Sequence, residues 1–177
     1  MDFDGLVDRY EKPIYNLVYR LLGDAEEAAD LTQETFVAAY RSFSQFRGGS
    51  TVYTWLYRIA INRCKNRFKE RDRNSLYEGP SLDAPTGPEG SEWGADAASL
   101  SDQPEMELQR KELRRQIERA IRQLPPDYRI VAVLRDLQGL SYQEIAQSAG
   151  ISVDVVRTRL ARARSALRQK LEAYLVE

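Results

Sequence analysis

The chain contains no histidine and a single cysteine, Cys64, among its 177 residues. The first absence excludes histidine-based catalytic triads, histidine metal ligands and the usual general base near neutral pH. The second excludes any intramolecular disulfide and any multi-cysteine zinc site. No apolar run approaches the roughly 18–20 residues of a membrane span, and no signal peptide is recognisable. No segment alternates with the period of a β-strand. These absences predict a reduced, cytoplasmic protein without membrane insertion; no catalytic residue, metal or cofactor is expected, and the chain is read as not an enzyme. What remains is abundant charge on a helix-forming chain. Hydrophobic residues make up 42% and charged residues 30%, the balance of a folded protein rather than a disordered one.

The formal net charge of −1 hides a strongly uneven distribution. Residues 1–36 carry nine acids and three bases, and residues 37–73 two acids and nine bases. Residues 74–109 carry eight acids and no base, and residues 110–177 eight acids and fourteen bases. The successive blocks are therefore −6, +7, −8 and +6. Two basic blocks separated by an acidic one point to two anion-binding surfaces, with nucleic acid the leading candidate. A solvated basic helix face is the plainer alternative for either block alone.

Helical periodicity organises both ends. In the N-terminal half Leu6, Val7, Tyr10, Ile14, Leu17, Val18 and Leu21 recur at helical spacing. Gly23 breaks the run, and Asp24 with Glu27 gives a capping-box-like start to a second helix. Gly48-Gly49-Ser50-Thr51 separates that helix from a third, expected from about Val52 to Arg71, which becomes basic along its length. Residues 74–106, rich in Gly, Pro, Ser and acids, read as a flexible linker in which only Trp93 and Leu100 could dock. The expected architecture is all-α: a small helical domain over 1–73, the linker 74–106 and a second helical domain over 107–177.

The second domain carries the most specific local signal. Ser141 and Glu144 form a capping box, Gly150 occupies a turn that needs a positive φ, and Ser152 caps the following helix. Val156, Leu160, Ala163 and Leu167 give that helix a buried side. Arg157, Thr158, Ala161, Arg162, Arg164 and Arg168 lie on the other. This is a helix-turn-helix with donors near the first turns of its recognition helix. Arg can bond guanine bidentately, Ala or a Thr methyl can pack on thymine, and Arg164, Arg168 and Lys170 suit phosphates.

Three strings in the first half narrow the choice: Asp30 to Phe36 (DLTQETF), Phe46-Arg47-Gly48, and Thr54 to Asn62 (TWLYRIAIN). Together they closely resemble region 2 of the extracytoplasmic-function (ECF) sigma factors. In the second half, Leu124 to Arg129 (LPPDYR), Gly139 to Ala146 (GLSYQEIA) and Val156 to Arg164 (VRTRLARAR) resemble region 4 of the same family. The resemblance spans both halves in order and leaves only the linker outside it.

The resemblance implies a dissociable subunit that binds bacterial RNA polymerase core and recognises −35 and −10 promoter elements to start transcription. Asp30, Gln33 and Glu34 match the surface that docks on the β′ clamp helices, although composition alone favours an ordinary solvated face. Arg47, Ser50, Tyr53, Arg58, Asn62, Arg63, Lys65 and Asn66 fall in the elements that capture the −10 strand. Trp55 fits a core role at least as well as base stacking. Ser152, Arg157, Thr158, Ala161, Arg162 and Arg164 match the −35 reader. The implied partners are core polymerase, through the clamp helices and the β flap, promoter DNA and an anti-sigma factor. Rival readings are a stand-alone dimeric helix-turn-helix regulator, a metal-dependent nuclease built on Asp24, Glu26, Glu27 and Asp30, and a sigma-like adaptor.

Overall fold

The computed structural model describes residues 2–78 and 104–175. Most of the expected linker, including Trp93 and Leu100, lies outside the described residues. Among those described the secondary structure is helical throughout.

Local chemistry explains where each helix starts and stops. Helix α1 (Phe3–Leu22) begins where the Asp2 carboxylate accepts the Gly5 amide. It ends at Gly23, whose φ of 77° lets its N–H reach the Tyr19 carbonyl. A Cβ there would also meet the Arg122 side chain at 2.8 Å, so a larger residue would have to displace that arginine as well as adopt the positive φ. Helix α2 (Ala25–Ser42) is capped by Asp24, which accepts from the Glu27 amide at 2.8 Å. A 3-10 turn at Phe43–Gln45 leads into a loop and then to α3 (Val52–Glu78). Thr51 Oγ1 accepts from the Thr54 amide at the head of α3. That helix continues past the expected boundary near residue 73.

The second half begins with α4 (Pro104–Arg122), within the segment expected to be linker. Helix α5 (Pro126–Ala132) starts on a proline, as the missing N–H allows. It passes without interruption into one π-helical turn, Val133–Leu137. Helix α6 (Tyr142–Ala149) has the full reciprocal capping box between Ser141 and Glu144. Gly150 (φ 68°) turns the chain into α7 (Val153–Leu175), whose first turn is capped by Ser152.

Helices α1, α2 and α3 pack on one another through Leu6, Ile14, Leu17, Leu31, Leu56 and Ile61, all fully or almost fully buried. Helices α5, α6 and α7 pack around Ile130, Leu134, Ile145, Val156 and Leu160. The two sets are not separate cores. One continuous apolar cluster runs from Leu6 to Leu160, and α6 lies along α3.

Hydrogen bonds between described residues cross from one half to the other. Arg20 donates to the Leu137 carbonyl at 3.4 Å and Tyr57 OH to Gln138 Oε1 at 3.0 Å. Lys65 Nζ donates to the Ala149 carbonyl at 2.7 Å, and Arg129 to the Leu21 carbonyl, also at 2.7 Å. Arg129 is partly buried. It also donates to the Arg122 and Leu124 carbonyls, and its guanidinium lies 5.2 Å from the Phe68 ring centre. Burial, then the nearby Arg71 and Arg122 charges, lowers its pKa to about 10. It stays protonated near neutral pH because helix carbonyls supply the negative ends of dipoles around it.

The capping box gives a direct test of this local logic. Ser141→Ala removes the acceptor for the Glu144 amide and should cost about 1 kcal/mol of stability. Ser141→Thr keeps the hydroxyl and should cost less. Urea unfolding of the two variants measures the difference.

Candidate nucleic-acid interface

The acidic face of α2 comes first because its pattern is simplest. Asp30, Gln33, Glu34, Val37 and Arg41 share one side of the helix and line a shallow cleft with Arg63 and Arg67 of α3. Glu34 accepts a hydrogen bond from Arg63 at 2.9 Å. Glu27 is paired with Arg67 and Arg71. Val37 and Tyr40 are 50% and 67% exposed beside these acids, with Tyr40 edge-on to Phe3. Residue 37 continues the 30–33–34 stripe, so this apolar edge was legible in the sequence.

The surface expected to face the −10 strand is built on α3 and the loop before it. Arg47, Ser50, Trp55 and Arg58 line a cleft of about 520 Å³, roomy enough for an unstacked base. Trp55 packs 4.9 Å from Phe46 and 6.4 Å from Phe43 by ring centres. It is thus partly core and partly cleft wall. Arg58, Asn62 and Asn66 are exposed at i, i+4 spacing and continue one face away from the cleft.

Three expected contributors are placed differently. Arg63 turns toward Glu34 on α2, and Lys65 toward the helix-turn-helix at Ala149. Tyr53 is half-buried, with its ring 4.0 Å from that of Tyr57. Tyr57 itself is fully buried, and burial first, then its bond with Tyr53, raises its pKa strongly. It serves packing and the bond to Gln138 rather than base stacking.

The helix-turn-helix presents its recognition helix to solvent. Ile145, Ala149, Val156, Leu160 and Ala163 are buried, while Ser152, Arg157, Thr158, Ala161 and Arg162 are exposed. Arg157 lies 3.4 Å from Asp154, but the side chains are 63% and 90% exposed, so the pair leaves Arg157 mobile. Arg162 approaches Tyr128 OH at 3.4 Å. Arg164 makes a two-pronged contact with Asp136 at 2.5 and 3.2 Å, and that bond raises its pKa. Arg159 pairs with Asp127 at 3.1 Å and Lys170 with Gln123 at 2.9 Å. The exposed Arg157, Thr158, Ala161 and Arg162 therefore lie in the first three turns of α7, and the later Arg164 is held locally.

Among the described residues no group of three or more Cys, Asp or Glu is placed to hold a metal ion. None of the described helices is long and apolar enough to cross a membrane.

Comparison with known proteins matches this architecture. A family model described as Sigma-70 region 2 matches residues 6–74, and one described as Sigma-70, region 4 matches residues 114–167. The RNA polymerase sigma-H factor of Pseudomonas aeruginosa is 41% identical over 177 residues, covering 99% of this chain and 89% of the relative. The ECF RNA polymerase sigma-E factor of Escherichia coli K12 is 40% identical over 174 residues, covering 98% and 88%. The chain belongs to the sigma-70 family, among the alternative sigma factors of the ECF type. Two solved structures share its fold. The sigma factor RpoE in complex with the anti-sigma factor NepR from Bartonella quintana has a TM-score of 0.73 at 23% identity, covering 97% of both chains. CnrH in complex with the cytosolic domain of CnrY has a TM-score of 0.66 at 24% identity, covering 97% of this chain and 88% of that one.

Cys64 lies inside the basic helix but does not join its surface. It is fully buried, and desolvation pushes its thiol up to about 12, against smaller opposing effects of Arg71 and Arg67. The neighbouring Arg63 and Lys65 are turned to other partners, Glu34 and the Ala149 carbonyl. An unfolded thiol ionises near pH 9.0 and the folded one near 12. The unfolded state therefore loses its proton first, and this contribution to stability, complete below pH 9, falls as pH rises toward 12. Denaturant titrations above pH 9 should show a steeper loss for the natural chain than for Cys64→Ala. Thiol reagents at neutral pH should label Cys64 readily only after unfolding.

Proposed function

We propose that the chain is a promoter-specificity subunit of bacterial RNA polymerase. The acidic and apolar face of α2 docks on the β′ clamp helices. Carboxylates of Asp30 and Glu34 meet cations there, while Val37 and Tyr40 supply apolar area. The second domain places its helix-turn-helix near the β flap, over the −35 element. No reaction is assigned to the chain, because its work is binding and strand capture.

The observation that carries this reading is the coexistence of two unlike DNA surfaces on one chain. The first turns of α7 expose Arg157, Thr158, Ala161 and Arg162, a set suited to base edges in a duplex major groove. The cleft at Arg47, Ser50, Trp55 and Arg58 is concave, with an aromatic wall and a basic rim. It suits an unpaired base rather than a duplex. Asn62 and Asn66 extend it along the strand with amide donors and acceptors. A stand-alone operator-binding regulator has no use for a single-strand cleft. The relatives named as RNA polymerase sigma factors, and the fold shared with sigma factors bound by anti-sigma factors, support the same reading. An anti-sigma factor is the regulatory partner that this likeness favours.

Run-off transcription with core polymerase on a promoter pool tests the proposal. Protein-dependent transcripts that start downstream of a shared −35/−10 pair are expected. Stable core binding without transcripts would favour the adaptor, and tight operator binding without core the regulator. Within that assay, Arg157→Ala should cost on the order of 1–3 kcal/mol in −35 binding and relax selection at one position. Unchanged −35 preference would remove Arg157 from the reader.

A further inference from the structure

Resting on the reading of α7 as the −35 reader, we propose that Asp136 is a positioning residue for DNA binding. It holds Arg164 off the phosphate backbone and so limits the sequence-independent affinity of the helix-turn-helix.

Arg164 stands where a DNA contact is expected. Arg157, Ala161, Arg164 and Arg168 follow one another at steps of four, three and four along α7, so they share one exposed face. Arg164 lies two turns beyond Arg157, about 10 Å along the helix. The two arginines are held differently. Arg157 meets Asp154 of its own helix at 3.4 Å, and that carboxylate is 90% exposed. Arg164 is gripped from another element. Its Nε donates to Asp136 Oδ2 at 3.2 Å and its Nη2 to Oδ1 at 2.5 Å. Two of the three guanidinium nitrogens are thereby spent on one carboxylate.

Asp136 is itself fixed. It lies in the π-helical turn Val133–Leu137, whose Val133 and Leu134 are buried. The Gln138 amide donates to the Val133 carbonyl and the Leu140 amide to the Leu134 carbonyl, each at 3.0 Å. Next to Asp136, Arg135 donates to the Leu140 carbonyl at 2.7 Å and lies 5.2 Å from the Tyr142 ring centre. The backbone under the carboxylate therefore has little freedom to follow Arg164 toward a ligand.

Charge decides what this grip does on DNA. Moving Arg164 from Asp136 to a phosphate would break a two-pronged ion pair and leave a bare carboxylate beside a polyanion. The transfer is opposed twice over. The paired side chains are 49% and 37% exposed, so the pair is screened and removing one partner strands no buried charge. It acts as a neutral unit on an otherwise basic helix. Each phosphate that a protein neutralises adds about 0.9 to the log–log slope of affinity against salt. While Arg164 stays on Asp136 that increment is withheld. Contact with bases is left to Arg157 and Thr158, and α7 holds an arbitrary duplex less tightly than its count of arginines implies.

Salt titrations of the full chain on a fluorescent duplex of arbitrary sequence test the restraint, from about 50 to about 200 mM salt. Asp136→Asn, and independently Asp136→Ala, should bind about fourfold more tightly at about 200 mM and steepen the slope by about 0.9. Asp136→Glu, which keeps the carboxylate, should stay near the natural slope. Arg164→Ala should flatten the slope by about 0.9 in the Asp136→Asn background and by less than half of that in the natural chain. An equal loss in both backgrounds means that Arg164 already sits on a phosphate, and overturns the proposal. So does a gain from Asp136→Asn that persists undiminished with Arg164→Ala, since the carboxylate then acts as background charge alone. An unchanged slope in both Asp136→Asn and Asp136→Ala overturns it as well. Run-off transcription reports separately on the underlying reading. Transcription without this coupling keeps the sigma assignment and removes the restraint, whereas coupling without any transcript does the reverse.

Discussion

A single buried guanidinium holds the arrangement together. Among the described residues no carboxylate pairs with Arg129. Its bonds go to the carbonyls of Leu21, Arg122 and Leu124, which are the frayed ends of α1 and α4. Those carbonyls would otherwise face a dry junction unsatisfied. One side chain therefore pairs the orphan acceptors of two helices and fixes the second half against the first. Gly23 fits the same constraint, since a side chain there would strike Arg122. The core continues across this joint because Phe68, Ile121 and Ile130 close around it.

Around that joint the charges are matched within each functional surface as well as between them. Arg63, Arg67 and Arg71 along α3 find Glu34 and Glu27 on α2, leaving Arg58, Asn62 and Asn66 outward. In the second half Arg159 and Arg164 find Asp127 and Asp136, leaving Arg157 and Arg162 nearer to solvent. Each basic helix thus divides its cations into a set paired with acids of neighbouring helices and a set that faces solvent. A count of positive residues cannot make that division, which depends on which face an acid on another helix happens to oppose.

Much of this was legible from residues alone. Asp24, Ser141, Gly150 and Ser152 announce helix ends through local chemistry, and the structure places each cap as its side chain dictates. The apolar stripes of α1, α6 and α7 were equally plain. The packing of the halves was not, because its bonds join side chains to backbone carbonyls far away in sequence. Lys65 meets residue 149 and Arg129 meets residue 21. No periodicity encodes such pairs. A lysine that will bond a carbonyl looks the same in sequence as one that will bond a phosphate. The burial of Tyr57 was hidden for the same reason, since its covering comes from the other half.

The π-helical turn at Val133–Leu137 has a consequence for the evolution and engineering of this fold. A π turn holds one residue more than the α-helix around it. Every group after it is offset by that residue, and the Leu137 carbonyl and Gln138 amide sit at its exit, pointing at Arg20 and Tyr57. Deleting one residue would restore a regular helix and swing those two groups by about 100° around its axis. The hydrophobic stripe could survive such a change while the junction lost its polar partners. A single insertion thus works as a phase setting for the polar contacts between the two halves.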